Sequence, residues 1–450
     1  SGSLSSAISR FITYELGTGD QSKLNKIFSA SVTIQLLLSL IIVVLIESVG
    51  VWFMNAKMTI PSDRIAAANW VLQFSIITFV INLISVPYNA AIIAHEKMSA
   101  FAYISILEAM AKLAIAFLIM ASPIDKLIFY AILMCVVAIV IRLTYGHYCK
   151  KHFDECTYHF HWDKDILKQM FGFAGWNFIG CSSAILRDQG VNVLLNIFYG
   201  PAVNAARGIA VQVNTAINGF VVNFTTALNP QITKSYASED YNTMFTLIYK
   251  GARFSYYLLL ILSLPILFET HYVLDLWLKN VPEHTVIFVR LIIIFSMCES
   301  ISVPLITAMM ATGRIRNYQI IVGGLQMLNF PLSYIALSLG YMPETTIVIM
   351  IVVSLMCLAA RLYMLKNMIM LNILNYVRKV LLNALTVSCI ALILPVILHN
   401  YMQEDFLSFI IQSVVCIISS VFSVLLIGCS NQEREMVWNF IKKKINDKVR

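Results

Sequence analysis

Residues 84–97 read ISVPYNAAIIAHEK, and residues 301–314 read ISVPLITAMMATGR. The tetrapeptide repeats at an offset of 217, Ala91 and Ala94 return as Ala308 and Ala311, and a base closes each stretch, Lys97 and Arg314. The match extends outward. SSAISRFITYELGTGD (5–20) aligns with TTALNPQITKSYASED (225–240) at an offset of 220, with Ala7/Ala227, Ile12/Ile232, Thr13/Thr233 and Asp20/Asp240 identical. Trp52 recurs as Trp277. Landmarks in the same order with small shifts point to an internal duplication.

The duplicated unit is made of membrane spans. The chain is 59 % hydrophobic and 12 % charged, against about 25 % charged in soluble domains. Apolar runs of roughly 20 residues, enough for a helix to cross a bilayer, recur throughout. We read spans at 27–49, 66–94, 101–121, 124–148, 168–197, 201–228, 247–278, 285–311, 318–339, 344–366, 379–399 and 405–428, with residues 1–14 closing another. A β-barrel would show weak alternating segments instead. Corresponding points lie six spans apart, an even number, so both halves enter the membrane in the same direction. This is the parallel repeat found in some secondary transporters. Residue 1 corresponds to about residue 221, and the second half opens near residue 165. The first span and most of the second are therefore expected to lie outside this sequence.

Lys and Arg set the orientation. With residues 15–26 cytoplasmic, the connections near 15–26, 95–100, 142–168, 231–253, 312–317 and 361–379, plus the tail, hold 23 bases, and the opposite loops hold 4. The net charge of +8 thus reflects topology and a surface facing anionic membrane lipids, with no nucleic-acid partner. The tail EREMVWNFIKKKINDKVR places Val437, Phe440, Ile441 and Ile445 on one helical face, which predicts a helix lying on the cytoplasmic interface.

Polar groups inside spans mark function candidates, because charge within the bilayer is costly. Asn204, Arg207, Asn214, Asn218 and Thr225 are spaced to fall near one face of a helix. They either line a wet cavity or bond neighbouring helices. Arg187 and Asp188 sit mid-span; adjacent residues do not share a face, so each is expected to find its own partner, substrate or coupling ion on one reading and another helix on the other. Arg10 lies near the end of its span, as cavity residue or as interfacial base. Glu108 and Lys112, four apart, are expected to neutralise each other. Glu47, Glu269, Asp275 and Glu299 are read as interfacial. Pro87 and Pro304 each free a carbonyl and bend a span; flanking alanines permit close packing. They serve either as kinks for moving lobes or as an inherited packing signature.

HFDECTYHFHWDKD (152–165) is rich in His and acids, but His159 and His161 lack a second cluster at ligand spacing, and no metal is expected. The nine Cys are scattered without C-x-x-C. The sequence carries no Walker motif and no G-x-S-x-G. No cofactor is expected, and transport would draw on an Na+ or H+ gradient or the membrane potential rather than on ATP.

The stretches SRFITYELGTGD, ISVPYNAAIIAHEKMSAFAYISILEAMAKL, FAGWNFIGCSSAILRDQGVNVLLNIFYGPAVNAARGIAVQV and LNPQITKSYASED resemble the polysaccharide-biosynthesis flippases of the multidrug/oligosaccharidyl-lipid/polysaccharide (MOP) exporter superfamily. The resemblance implies an all-α polytopic bundle of two six-helix lobes around a central cavity, followed by two extra helices. On that plan residues 1–148 form the N-lobe, 149–167 a cytoplasmic inter-lobe loop, 168–366 the C-lobe, 367–428 the two additional helices and 429–450 the basic tail. It further implies a bacterial inner-membrane protein that carries an undecaprenyl-pyrophosphate-linked oligosaccharide, the repeat unit of O-antigen, capsule or exopolysaccharide, alongside other polysaccharide assembly proteins. A cationic drug exporter of the same fold is the alternative; a polymerase or ligase fits less well, since such enzymes carry a large outward loop and the longest here is about 54–65.

Overall fold

The computed structural model describes residues 2–52, 64–122, 125–159, 163–278, 280–401, 405–435 and 439. Ten helices among them are long and apolar enough to cross a membrane, and each coincides with a span read from the sequence. In chain order the helices are α1 (Gly2–Thr18), α2 (Gln21–Leu45), α3 (Ile65–Ala94), α4 (Met98–Leu118) and α5 (Lys126–His152). Lys164–Ala237 follows, helical except at Gly200, whose φ of 81° and ψ of −177° split it into α6 (164–199) and α7 (201–237). That backbone region is essentially open to glycine alone, and Pro201 supplies a preset φ for the first turn of α7. Then come α8 (Tyr241–Phe268), α9 (Thr270–Leu278), α10 (Thr285–Ala311), α11 (Arg316–Met327), α12 (Asn329–Ser338), α13 (Thr345–Ile369), α14 (Ile373–His399) and α15 (Phe406–Ser423).

Three spans differ from their sequence reading. The segment 247–278 is two helices, because α8 stops at Phe268 soon after Pro265. The segment 318–339 breaks at Leu328, ahead of Pro331. And α7 runs on to Ala237, nine residues beyond 228, through Pro230. The tail helix falls almost wholly outside the described residues, as does most of the 54–65 loop.

Two compact units divide the chain: residues 1–178 with 233–239, and residues 179–232 with 240–450. In the first, α3 packs on α5 and on α1 and α2. Phe28 meets Tyr88 edge to face at 5.1 Å, and Arg142 lies over the Tyr88 ring at 3.8 Å. Glu108 and Lys112 pair at 2.6 Å on α4, as their spacing requires. In the second, α10 packs on α8 and α13, and α14 and α15 pack on each other and on α8. Arg253 of α8 donates to the Gly428 carbonyl and to Glu433, both at 2.8 Å, which ties the last helix down.

The repeated residues have matching roles in the two units. Ala91, Ala94, Ala308 and Ala311 are all fully buried, and both helices continue through their buried prolines, Pro87 and Pro304. In a bilayer lipid is as apolar as leucine, so such small residues act by letting backbones approach. Asp20 accepts from the Lys23 N–H at 3.1 Å and Asp240 from the Thr243 N–H at 3.0 Å. Each caps the helix that follows it, and those hydrogen bonds hold both carboxyls below their ordinary value.

The linker after α5 is pinned to its own unit. His95 at the end of α3 pairs with Glu155, and its ring stacks on Phe153 at 4.1 Å. Gln21 also donates to Glu155 at 3.4 Å, and Tyr158 meets Thr33 at 3.3 Å. Burial pushes the Glu155 carboxyl up, but the hydrogen bond from His95 and those of the backbone and Gln21 outweigh it, and the group sits below its usual value.

Candidate functional site

A polar cavity of 500 Å³ opens within the second unit, between α6, α7 and α10, with Met350 of α13 on its wall. That size is typical of ligand sites. Gly200 makes it possible: by reversing the chain there, it sets the polar residues near the end of α6 beside those at the start of α7. The polarity of these two helices also explains why neither is among the ten apolar spans.

Arg187, Asp188, Arg207, Asn214 and Asn218, all singled out in the sequence, line this one cavity. Arg187 and Asp188 do not take separate partners. The guanidinium folds back on its neighbour, Nε donating to Oδ1 at 3.0 Å and a terminal nitrogen to Oδ2 at 3.2 Å. Helix geometry keeps the two Cβ atoms apart, but a long flexible arginine can curl back, and a low-dielectric site favours the pair. The Arg187 guanidinium also lies 5.3 Å from the centre of the Phe295 ring.

Arg207 is different. It is only 4 % exposed, it donates to the amide oxygen of Asn192, and its Nε is buried without a partner. It forms no ion pair among the described residues. Asn192 in turn donates to Gln189 at 3.2 Å. Arg207 is thus a cation held by a neutral amide chain beside the cavity.

The other expected site residues lie elsewhere. Thr225 is buried and its hydroxyl donates to the Val221 and Val222 carbonyls, at 2.9 and 3.0 Å, so the stripe reaches the cavity only along its middle. Asn204 is partly buried on α7, away from the cavity lining. Arg10 lies in the first unit, over the rings of Tyr14, Phe11 and Phe173 at 4.7, 4.8 and 5.6 Å. It borders a hollow of 460 Å³ shared with Lys23, Lys26, Glu15, Asp163 and Asp165, whose formal charges cancel.

Two charged residues were misplaced by sequence position alone. Glu299 is not interfacial: it lines the cavity from the middle of α10 and accepts from the Ser354 hydroxyl. Arg361, counted with a cytoplasmic loop, is 1 % exposed on α13, hydrogen-bonded with Tyr318 and within electrostatic range of Glu299. The signal was available for Glu299, which lies more than three turns inside its apolar run, but not for Arg361, which lies near the end of its own.

The fold is similar to that of solved MATE transporters. The fold is similar to a MATE transporter solved in the straight conformation (TM-score 0.72, 11 % identity, 82 % of this chain and 85 % of that one). It is similar also to an outward-facing multidrug-resistance MATE family transporter of the MOP superfamily (TM-score 0.68, 12 % identity, 80 % and 81 %). A third similar structure is a MOP superfamily transporter from Pyrococcus furiosus (TM-score 0.68, 12 % identity, 80 % and 82 %). No curated protein matches the chain. Over residues 3–236 the sequence matches the family of polysaccharide biosynthesis proteins, and the chain belongs to that family.

Proposed function

We propose that this protein is a flippase that moves a polyprenyl-pyrophosphate-linked oligosaccharide across a bacterial plasma membrane, acting as a carrier and not as an enzyme. The observation that supports this reading most is Arg207, a buried cation hydrogen-bonded only to an amide, on a cavity that also carries the amides of Asn192, Asn214 and Asn218. A pyrophosphate could meet its planar fork bidentately, while the prenyl tail stays in lipid and the sugars take the polar walls. Arg187 is already hydrogen-bonded to Asp188, which leaves Arg207, bonded only to the Asn192 amide, as the cation with a neutral partner. Asp188, with 44 % of its side chain exposed, is the accessible carboxylate for a coupling Na+ or H+. Other polysaccharide assembly proteins would supply and receive the cargo.

The test is deletion of the full-length gene with measurement of lipid-linked oligosaccharide on each leaflet. Accumulation on the cytoplasmic leaflet and loss of surface glycan are expected. For the Pyrococcus furiosus transporter, a reversed polarity of the binding pocket suggests a different function, and pocket charge separates the readings here as well. The carboxylates Asp188 and Glu299 favour the second reading, an ion-coupled exporter of cationic drugs. Unchanged glycan with new sensitivity to such drugs would select it.

A further inference from the structure

The turn from α13 into α14 is written RLYMLKNMIMLNILNYVRK (361–379). No Asp or Glu stands between Glu344 and Glu404, so its four bases have no acid near them in sequence. Arg361 is the buried one described above. Lys366, Arg378 and Lys379 are exposed, and among the described residues they enter no ion pair. Lys379 leans over Tyr249, its Nζ 5.7 Å from the ring centre. Charges of one sign gathered without a counter-charge repel one another, and an anion bound among them relieves this.

The same turn encloses a hollow of 630 Å³ within the second unit, on the side that the Lys and Arg bias assigns to the cytoplasm. Lys366, Met370, Asn372, Leu374 and Val377 line it, and Lys366 is the charged residue on its wall. The Asn372 side chain is already engaged, accepting from the Asn375 N–H at 3.0 Å to cap α14. Two apolar side chains stand out at the rim, Met370 at 88 % exposure and Leu374 at 76 %, while Leu371 between them is fully buried. Met370 also closes α13 in left-handed backbone, with φ of 58° and its N–H bonded to the Leu365 carbonyl. Glycine is usual at that position, so the methionine is kept there against a backbone preference. Tyr363, just before Lys366 on α13, is 65 % exposed, as tyrosines at the membrane interface are.

We propose that this hollow holds an anionic phospholipid of the cytoplasmic leaflet. Its phosphate meets Lys366, with Arg378 and Lys379 nearby, and its acyl chains run along Met370 and Leu374. Basic pockets between helices on the cytoplasmic side recognise such headgroups. A lipid held there fastens the turn that leads into the α14–α15 pair. The site is separate from the polar cavity and does not depend on the transport reading.

Native mass spectrometry of the full-length protein in detergent tests it, by measuring retention of dioleoyl-phosphatidylglycerol and of dioleoyl-phosphatidylcholine at equal doses. Retention of the anionic lipid over the zwitterionic one is expected. Lys366→Gln should weaken it about fivefold, the effect of one base near anionic lipid. Met370→Gly eases the backbone, so it should keep the melting temperature and still lose lipid. Lys168→Gln removes an exposed base on the same side of the membrane and should change nothing. Equal retention of the two lipids, or equal effects of Lys366→Gln and Lys168→Gln, would overturn the site. Displacement of the phosphatidylglycerol by inorganic phosphate would make it a site for the free anion, and retention of a polyprenyl phosphate alone would make it part of the cargo path; either result removes the phospholipid.

Discussion

Arg187 and Asp188 are consecutive residues that hold each other through two hydrogen bonds, at 3.0 and 3.2 Å, on the wall of the cavity. The pair neutralises one arginine and leaves Arg207 as the cation with a neutral partner. Removing one member would strand the other, and breaking an ion pair on one side costs more than removing both. Arg187→Gln and Asp188→Asn are each expected to lower thermal stability. The double variant should lie above the additive sum by about 0.5–3 kcal/mol. Additive melting shifts in a double-mutant cycle would show that the two do not depend on each other.

Arg207→Ala removes a charge-assisted contact worth roughly 1.5–3 kcal/mol, about a ten- to hundred-fold loss of apparent substrate affinity. Arg207→Lys should recover part of it, because a point charge lacks the fork. Asn214→Leu should matter less. Transport assays need protein levels alongside, since a structural arginine would lose folded protein while a substrate arginine would lose flipping alone. Normal expression with normal surface glycan in Arg207→Ala would end the pyrophosphate assignment.

Glu155 clamps the linker to α2 and α3. Its carboxyl sits below the ordinary value of 4.5 in the folded protein, so its stabilisation is whole above pH 4.5 and is lost as the pH falls through the lower, folded value. Glu155→Gln weakens the contact with His95 and is expected to cost about 1–3 kcal/mol at neutral pH. Thermal melts at neutral pH and below pH 4 would show a gap between wild type and variant that narrows in acid. A constant gap would place the cost in packing instead of charge.

Reporter fusions after Ser122, Tyr199 and Tyr341 are expected to read outside, and fusions after Ser238 and Asn372 to read cytoplasmic. A cytoplasmic signal at Tyr199 would break the parallel repeat, because it would put an odd number of spans between equivalent points.

The sequence alone determined the membrane class, the spans and the duplication. These depend on patterns that are local and redundant: long apolar runs, biased loop charge, and a motif written twice with its alanines. ISVP with Ala91/Ala94 and Ala308/Ala311 was readable because close packing demands small residues at fixed spacing. Half of the site was readable too, since Arg207, Asn214 and Asn218 share a helical face. Other features were decided only by tertiary structure. Which polar residues meet depends on the chain reversal at Gly200, which brings Asn192 to Arg207, and on α10, which brings Glu299 to the same cavity. Whether Arg187 bonds outward or to Asp188 depends on the competition among side chains within reach, and spacing cannot rank those partners. Arg361 looked like a loop charge because a base near a span end usually is one; only the packed environment of α13 and Tyr318 makes it a buried one.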